Sequence, residues 1–197
     1  MHMPFVSKES FLQLNSENWT AAELQNPINE NEPCLRGSLF TSLFGAINNN
    51  VKKGYSSIKV FEAGNVFKKE KKGFAQSLHL SGIIYHHEPN QTWSMKEYVY
   101  DFFSMKAEII KLLQTLGMHN AEFQKASSVT PFNENTLAIF MGKHKIGLIG
   151  EIDLSNTDKL IKKAAFGFEI YPEKIPLFFK NPKIKKTSKF PLSSRDI

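Results

Sequence analysis

Apolar residues recur at helical spacing after Ser38: Leu39, Phe40, Leu43, Phe44, Ile47 and Val51 form one wide, bulky stripe. Ser38 is placed to cap that helix, because its hydroxyl can accept from an orphan N–H of the first turn. Gly54 can end it in the left-handed conformation. The spacing predicts a helix over Ser38–Val51, feeding a strand that begins with Ile58, Val60 and Phe61 and is interrupted at Gly64. Fully burying each large apolar side chain is worth roughly 1.5–3 kcal/mol. A helix with so much apolar area must face a core, a partner subunit, or both.

The remaining pattern mixes short helices with strands. Residues 5–14 predict a strand end and a short helix capped at Ser7. A polar turn follows, anchored by Trp19, and Leu24–Ile28 is extended because Pro27 drives Asn26 out of the helical region. Lys68 to Gly73 is a charged hairpin turn. In residues 77–85, Leu78, Leu80, Gly82 and Ile84 alternate with His79, Ser81 and Ile83, the pattern of a half-buried strand. A second amphipathic helix starts at Phe102, with Met105, Ile109, Leu112, Leu113 and Leu116 on one face, Asp101 as cap and Gly117 as stop. Ala121–Ala126 reads as a strand. Thr136–Met141 and His144–Ile152 form the clearest hairpin, joined at Gly142-Lys143, where Gly147 and Gly150 mark bulges or close backbone approach. Ser155–Lys163 reads as a short helix. Ala165–Tyr171 reads as a strand stopped by Pro172, with Phe166, Phe168 and Ile170 on one face. Hairpins and meandering strands with helices between them predict an α+β fold with a mostly antiparallel sheet.

Composition adds a well-filled core: 17 Phe in 197 residues, within a hydrophobic content of 41%. No run of eighteen apolar residues offers a membrane span, and the N-terminus lacks the apolar region of a signal peptide. Residues 1–3 read as an added leader rather than natural sequence. A single cysteine, Cys34, forbids an internal disulfide, fits a reducing cytoplasm, and reads as a small buried hydrophobe. Charge is uneven. Residues 1–157 hold 15 basic and 15 acidic residues, whereas residues 158–197 hold 10 and 4 and carry the whole net charge of +6. That basic tail is by default a solvated segment. The alternative is a nucleic-acid-binding module acting through residues 159–195.

Candidate chemistry is sparse. His86-His87-Glu88 is the one metal-like cluster, but adjacent residues of an extended loop point to opposite sides, which favours a structural loop over a metal site or a metal-dependent hydrolase. His119 and His144 stand alone. No nucleophile elbow marks a Ser/His/Asp relay, and neither a P-loop nor GxGxxG occurs. Arginine is scarce: only Arg36 and Arg195. Gripping a triphosphate without a P-loop normally takes guanidinium forks, so no catalytic, cofactor-binding or metal-binding residue is assigned.

The ordered segments resemble the β subunit family of bacterial phenylalanyl-tRNA synthetases. Leu24-Gln25-Asn26-Pro27-Ile28 is similar to the family's L-x-N-P entry. Leu35-Arg36-Gly37-Ser38-Leu39-Phe40 with Leu43 is similar to its R-x-S-L helix start, although Ser42 stands where glycine is usual. Val60-Phe61-Glu62-Ala63-Gly64-Asn65-Val66-Phe67 resembles the F-E-x-G-x-V-F strand, and Leu80–Ile84 the strand after it. Trp93 and Tyr100-Asp101-Phe102-Phe103-Ser104-Met105-Lys106 resemble the entry to the second helix. Lys145–Ile152, Phe168-Glu169-Ile170, Lys189-Phe190-Pro191 and Arg195-Asp196-Ile197 continue the order to the end. The chain departs from the pattern at Thr130-Pro131-Phe132 and after Asp153-Leu154.

The resemblance implies a class II aminoacyl-tRNA synthetase-like domain over residues 4–180, an antiparallel sheet flanked by helices, that is similar to the α subunit's catalytic domain but has lost catalysis. Residues 181–197 would be a basic linker toward an absent anticodon-binding domain, and the chain an excised piece. It implies docking to the α subunit of a heterotetramer, which serves tRNA(Phe) as a whole, with ATP and Mg on the α subunit and no cofactor here. The expected subunit interface is the stripe Leu39, Phe40, Leu43, Phe44, Ile47 and Val51, where equivalent helices of two α and two β subunits meet. The same face leaves room for self-association of the isolated fragment.

Overall fold

The computed structural model describes residues 3–14, 19–86, 100–154 and 164–175. Ser7 starts the first helix as its spacing predicts: its hydroxyl accepts from the Ser10 N–H at 3.1 Å. Strand β1 (Phe5–Val6) precedes that helix, α1 (Lys8–Leu14). With β2 (Ala22–Glu23) and β3 (Cys34–Leu35) it makes a small antiparallel sheet in the order β1-β3-β2. Under it lies a small core of Val6, Phe11 and Cys34, with Trp19 packed against it. Burial pushes the Cys34 thiol above its usual pKa, in keeping with a structural role.

The main sheet has six antiparallel strands in the order β4-β5-β9-β8-β7-β6. These are β4 (Ser57–Lys69), β5 (Phe74–His86), β6 (Ala121–Lys125), β7 (Phe132–Met141), β8 (His144–Ile152) and β9 (Ala165–Ile170). Helix α2 (Phe40–Lys52) covers one face and α3 (Phe102–Thr115) the other. Alternation along each strand divides the core accordingly. Ile83 and Tyr85 join the cluster under α2, while Ile84 joins the one under α3. Residues 81–85 of β5 are therefore buried on both faces, not half-buried, because this part of the strand has a helix on each side, whereas Phe74 and Leu78 in its first half are exposed. Phe40 packs edge-on against Phe132 at 5.3 Å between ring centres, tying α2 to β7.

Asp101 caps α3 in the predicted way. Its carboxylate accepts from the Ser104 N–H at 2.8 Å, and Ser104 reaches back to the Asp101 N–H, completing a capping box. Met105, Ile109 and Leu113 are buried, but Leu116 is 40% exposed at the helix end, where the apolar face has run past the sheet. Gly54, at φ 87°, ends α2. Two strand expectations are corrected. Strand β4 runs through Gly64 without interruption, paired residue by residue with β5. Strand β7 begins at Phe132, four positions before the predicted Thr136, through a register shift between the two. Close backbone approach at Gly147 is present: a Cβ there would lie 2.5 Å from the Glu169 carbonyl oxygen.

Several expectations lie outside the described residues: His87, Glu88 and Trp93, the helix over Ser155–Lys163, and the basic tail from residue 176 with Arg195. Among the described residues no helix is long and apolar enough to cross a membrane, and no group of three His, Cys, Asp or Glu side chains is set to hold a metal ion.

Candidate docking site on the second helix

Helix α2 is fixed at its start by two side chains rather than one. Ser38 does not occupy the cap position, which falls to Leu39, but its hydroxyl accepts from the Phe40 N–H at 3.2 Å. The helix accordingly starts two residues later than the spacing suggests. Ser42, in the first turn, donates to the Leu39 carbonyl at 2.9 Å and to Glu62 Oε2 at 2.6 Å.

Glu62 is the centre of a network that spans helix, loop and sheet. Arg36 Nη1 donates to Glu62 Oε1 at 2.6 Å, and Arg36 Nε donates to the Asn65 carbonyl at 3.0 Å. The two side chains are 6% and 13% exposed. The Arg36 backbone is tied on both sides. Its N–H donates to the Pro4 carbonyl at 2.8 Å, and its carbonyl accepts from the Phe67 N–H at 2.9 Å. Gly64 lies against the guanidinium, so a Cβ at that position would fall on Arg36 Nη2. The segments Leu35–Phe40 and Val60–Phe67, which stand out separately in the sequence, are therefore two halves of one contact. Arg36 is also the one arginine among the described residues, and the bonds described here turn it inward.

The predicted interface residues lie elsewhere than on a free surface. Leu39, Phe40, Leu43, Phe44 and Ile47 are between 0% and 6% exposed, and Val51 is half-buried. Phe40, Leu43, Phe44 and Ile47 belong to the core with Ile58, Ile83, Tyr85, Phe132 and Leu148, and Val51 packs against that core. The stripe thus serves this chain's own sheet and presents no apolar face outward. Apolar periodicity specifies which side of a helix is dry, but not whether its own sheet or a neighbour keeps it so.

What α2 presents outward is small and polar. Gly45 and Asn49 are exposed, and Thr41, Ser42 and Ala46 are half-buried. These residues share one helical face. They form one wall of a groove of about 360 Å³, whose other wall is made by Phe5, Val6, Ser7 and Ser10. No atom lies within 4 Å of where a Gly45 side chain would begin. A second element could therefore approach the α2 backbone closely here. The sequence signal for this face is the spacing of Ser42, Gly45, Ala46 and Asn49, which the conspicuous Leu and Phe stripe beside it hides.

Comparisons with known proteins extend this picture. A family model described as the phenylalanyl tRNA synthetase beta chain CLM domain matches residues 1–171. The phenylalanine–tRNA ligase beta subunit of Wigglesworthia glossinidia brevipalpis is 34% identical over 177 residues, covering 87% of this chain and 22% of that protein. That of Thermotoga maritima is 29% identical over 176 residues, covering 88% and 22%. The chain thus spans about a fifth of the length of these curated relatives, 22% in each case. Among solved structures, a pyrrolysyl tRNA synthetase, PylSc of Desulfitobacterium hafniense, superposes with a TM-score of 0.62 at 14% identity, over 88% of this chain and 57% of that one. The fold is that of a class II synthetase, an antiparallel sheet flanked by helices.

Proposed function

Because this chain belongs to the phenylalanyl tRNA synthetase beta chain CLM domain family, we propose that it is a docking domain of a phenylalanine–tRNA ligase, non-catalytic in aminoacylation. In this reading it holds the α subunit in the cytoplasmic heterotetramer that charges tRNA(Phe), with ATP and Mg bound on the α subunit. The observation that carries the proposal is the outer face of α2. Ser42, Gly45, Ala46 and Asn49 leave a groove open beside a helix whose first turn is bonded through Ser42 to the Arg36–Glu62 pair. Small side chains allow two backbones to approach closely, and a helix held by a buried charge pair offers that face in one orientation. The docking surface is then the side of α2 opposite to the apolar stripe. The inward commitment of Arg36 supports the lack of catalysis, since no described guanidinium is left for a triphosphate.

The test is co-purification with the cognate α subunit. Gly45→Arg combined with Asn49→Arg changes two exposed positions and leaves the core untouched. The expected result is loss of the complex, with far-UV circular dichroism and urea midpoint retained. A complex that survives both substitutions would place the contact elsewhere and sink the proposal.

A further inference from the structure

On the same side of the sheet as α2, but apart from its outer face, a cleft of about 260 Å³ opens between β5, β9 and the segment leading into α2. Its walls include Ser38, Ser77, His79, Glu169, Tyr171 and Glu173. Ser77 and His79 are two positions apart on β5 and so face the same way. Ser77 Oγ lies 3.2 Å from His79 Nε2. His79 Nδ1 lies 2.9 Å from Glu169 Oε1, across the pairing of β5 with β9. His79 is 8% exposed.

The hydrogen positions follow from the partners. An ionised carboxylate only accepts, so the proton between His79 and Glu169 is on Nδ1. In the neutral ring Nε2 is then the acceptor for the Ser77 hydroxyl. Tyr171 completes the arrangement. Its hydroxyl donates to Glu169 Oε2 at 3.0 Å, and its ring stands edge-on to the imidazole with centres 4.9 Å apart. Burial, then the charge of Glu169, holds the Tyr171 phenol well above its usual pKa, so it remains a donor. Glu169 is thereby fixed at both oxygens, and it fixes the tautomer of His79. A hydroxyl, a base within hydrogen-bond reach and a carboxylate orienting that base, all lining one cleft, are the parts of an activated nucleophile.

We propose that this cleft is an acyl-accepting site, with Ser77 as nucleophile, His79 as base and Glu169 as the group that positions the imidazole. The substrates that fit are small activated carboxylic esters, because a cleft of about 260 Å³ is smaller than the usual site for a drug-sized ligand, roughly 300–1,000 Å³. In the first step Ser77 Oγ bonds to the ester carbonyl carbon while its proton passes to His79 Nε2. The tetrahedral intermediate then breaks its bond to the leaving oxygen, which takes that proton and departs as the alcohol. Water repeats the sequence at the acyl-serine, releasing the carboxylic acid and restoring Ser77. The site uses none of the outer-face residues of α2, so it stands or falls independently of docking.

The probe is p-nitrophenyl acetate, with acetylated peptides mapped by mass spectrometry. The expected result is acetyl on Ser77 of the native protein, none on Ser77 in urea, and loss of that peptide signal in Ser77→Ala. Removing a positioned general base typically slows a reaction by at least ~100-fold, so His79→Gln should slow Ser77 acetylation by about that factor. Acetyl confined to lysines, equal Ser77 acetylation in native and unfolded protein, or an unchanged rate in folded His79→Gln would each overturn the proposal. Should His79→Gln fail to fold, the comparison of native with urea-unfolded wild type decides.

Discussion

Substituting Gly64 by Ala tests whether the Arg36–Glu62 contact fixes α2. The new Cβ would fall on Arg36 Nη2 and 3.4 Å from Cζ. A guanidinium at the end of a flexible side chain could ordinarily move aside. This one is held by Glu62 at 2.6 Å and by the Asn65 carbonyl at 3.0 Å, inside a site where it is 6% exposed. Moving it breaks the bond between the guanidinium and the buried Glu62 carboxylate. Breaking one partner of a buried pair costs about 3–5 kcal/mol. Replacing Gly by Ala within a strand returns roughly 0.5–1 kcal/mol. The net loss expected is about 2–4 kcal/mol, read from urea unfolding followed by far-UV circular dichroism. The decisive comparison is the same substitution in an Arg36→Met background. There the guanidinium is gone, the Cβ has room, and Gly64→Ala should change stability by less than ~1 kcal/mol. If the two substitutions are additive to within about 0.5 kcal/mol, the guanidinium does not fill the Gly64 space in the way described and the reasoning fails.

Two further outcomes follow from the core and from the α3 cap. Phe40→Ala removes a fully buried ring that packs edge-on against Phe132. It should cost about 3–5 kcal/mol and lower the melting temperature by roughly 2–4 °C per kcal/mol; a loss under ~1 kcal/mol would mean that α2 is not seated on the sheet. Hydrogen bonds from the Ser104 hydroxyl and the Ser104 N–H hold the Asp101 carboxyl below its usual pKa. A depressed carboxylate contributes stability that is present above its unfolded pKa and lost as pH falls through its folded one. The melting temperature of wild type should therefore fall toward that of Asp101→Asn as the solution is acidified below about pH 4, and two parallel pH profiles would contradict the cap.

Features set by neighbouring residues were legible in the sequence. Ser7 and Asp101 as caps, Gly54 as a helix stop, and the Gly142 hairpin each depend on side chains within a few positions. The antiparallel class followed from the turns. Where the structure departs, the reason is distance along the chain. The wet face assigned to β5, the side of Ser81 and Ile83, is closed by α2, a helix that ends 22 positions before the strand begins. The apolar stripe of α2 was plain, but whether it covered its own sheet depended on Phe132 and Leu148, which lie far along the chain. Arginine scarcity was visible as a count, whereas the use made of Arg36 depended on Glu62, 26 residues away. Ser77 and His79 give only a two-residue spacing on one strand, and the carboxylate that orients the imidazole is 90 positions further on.

The place of β9 has a consequence for how the molecule comes into being. Among the described residues it is the last strand in sequence, yet it lies between β5 and β8. Without it the other five strands are two unconnected ribbons, β4-β5 and β8-β7-β6, each with a raw edge of unsatisfied amides and carbonyls facing the gap. A growing chain holds those two raw edges open until residues 165–170 have been made. Leu80 in particular waits ninety residues for Ile170. Closure of the sheet thus waits on this one strand, and the interval before it is made is when an unintended strand from another chain can slip into the gap.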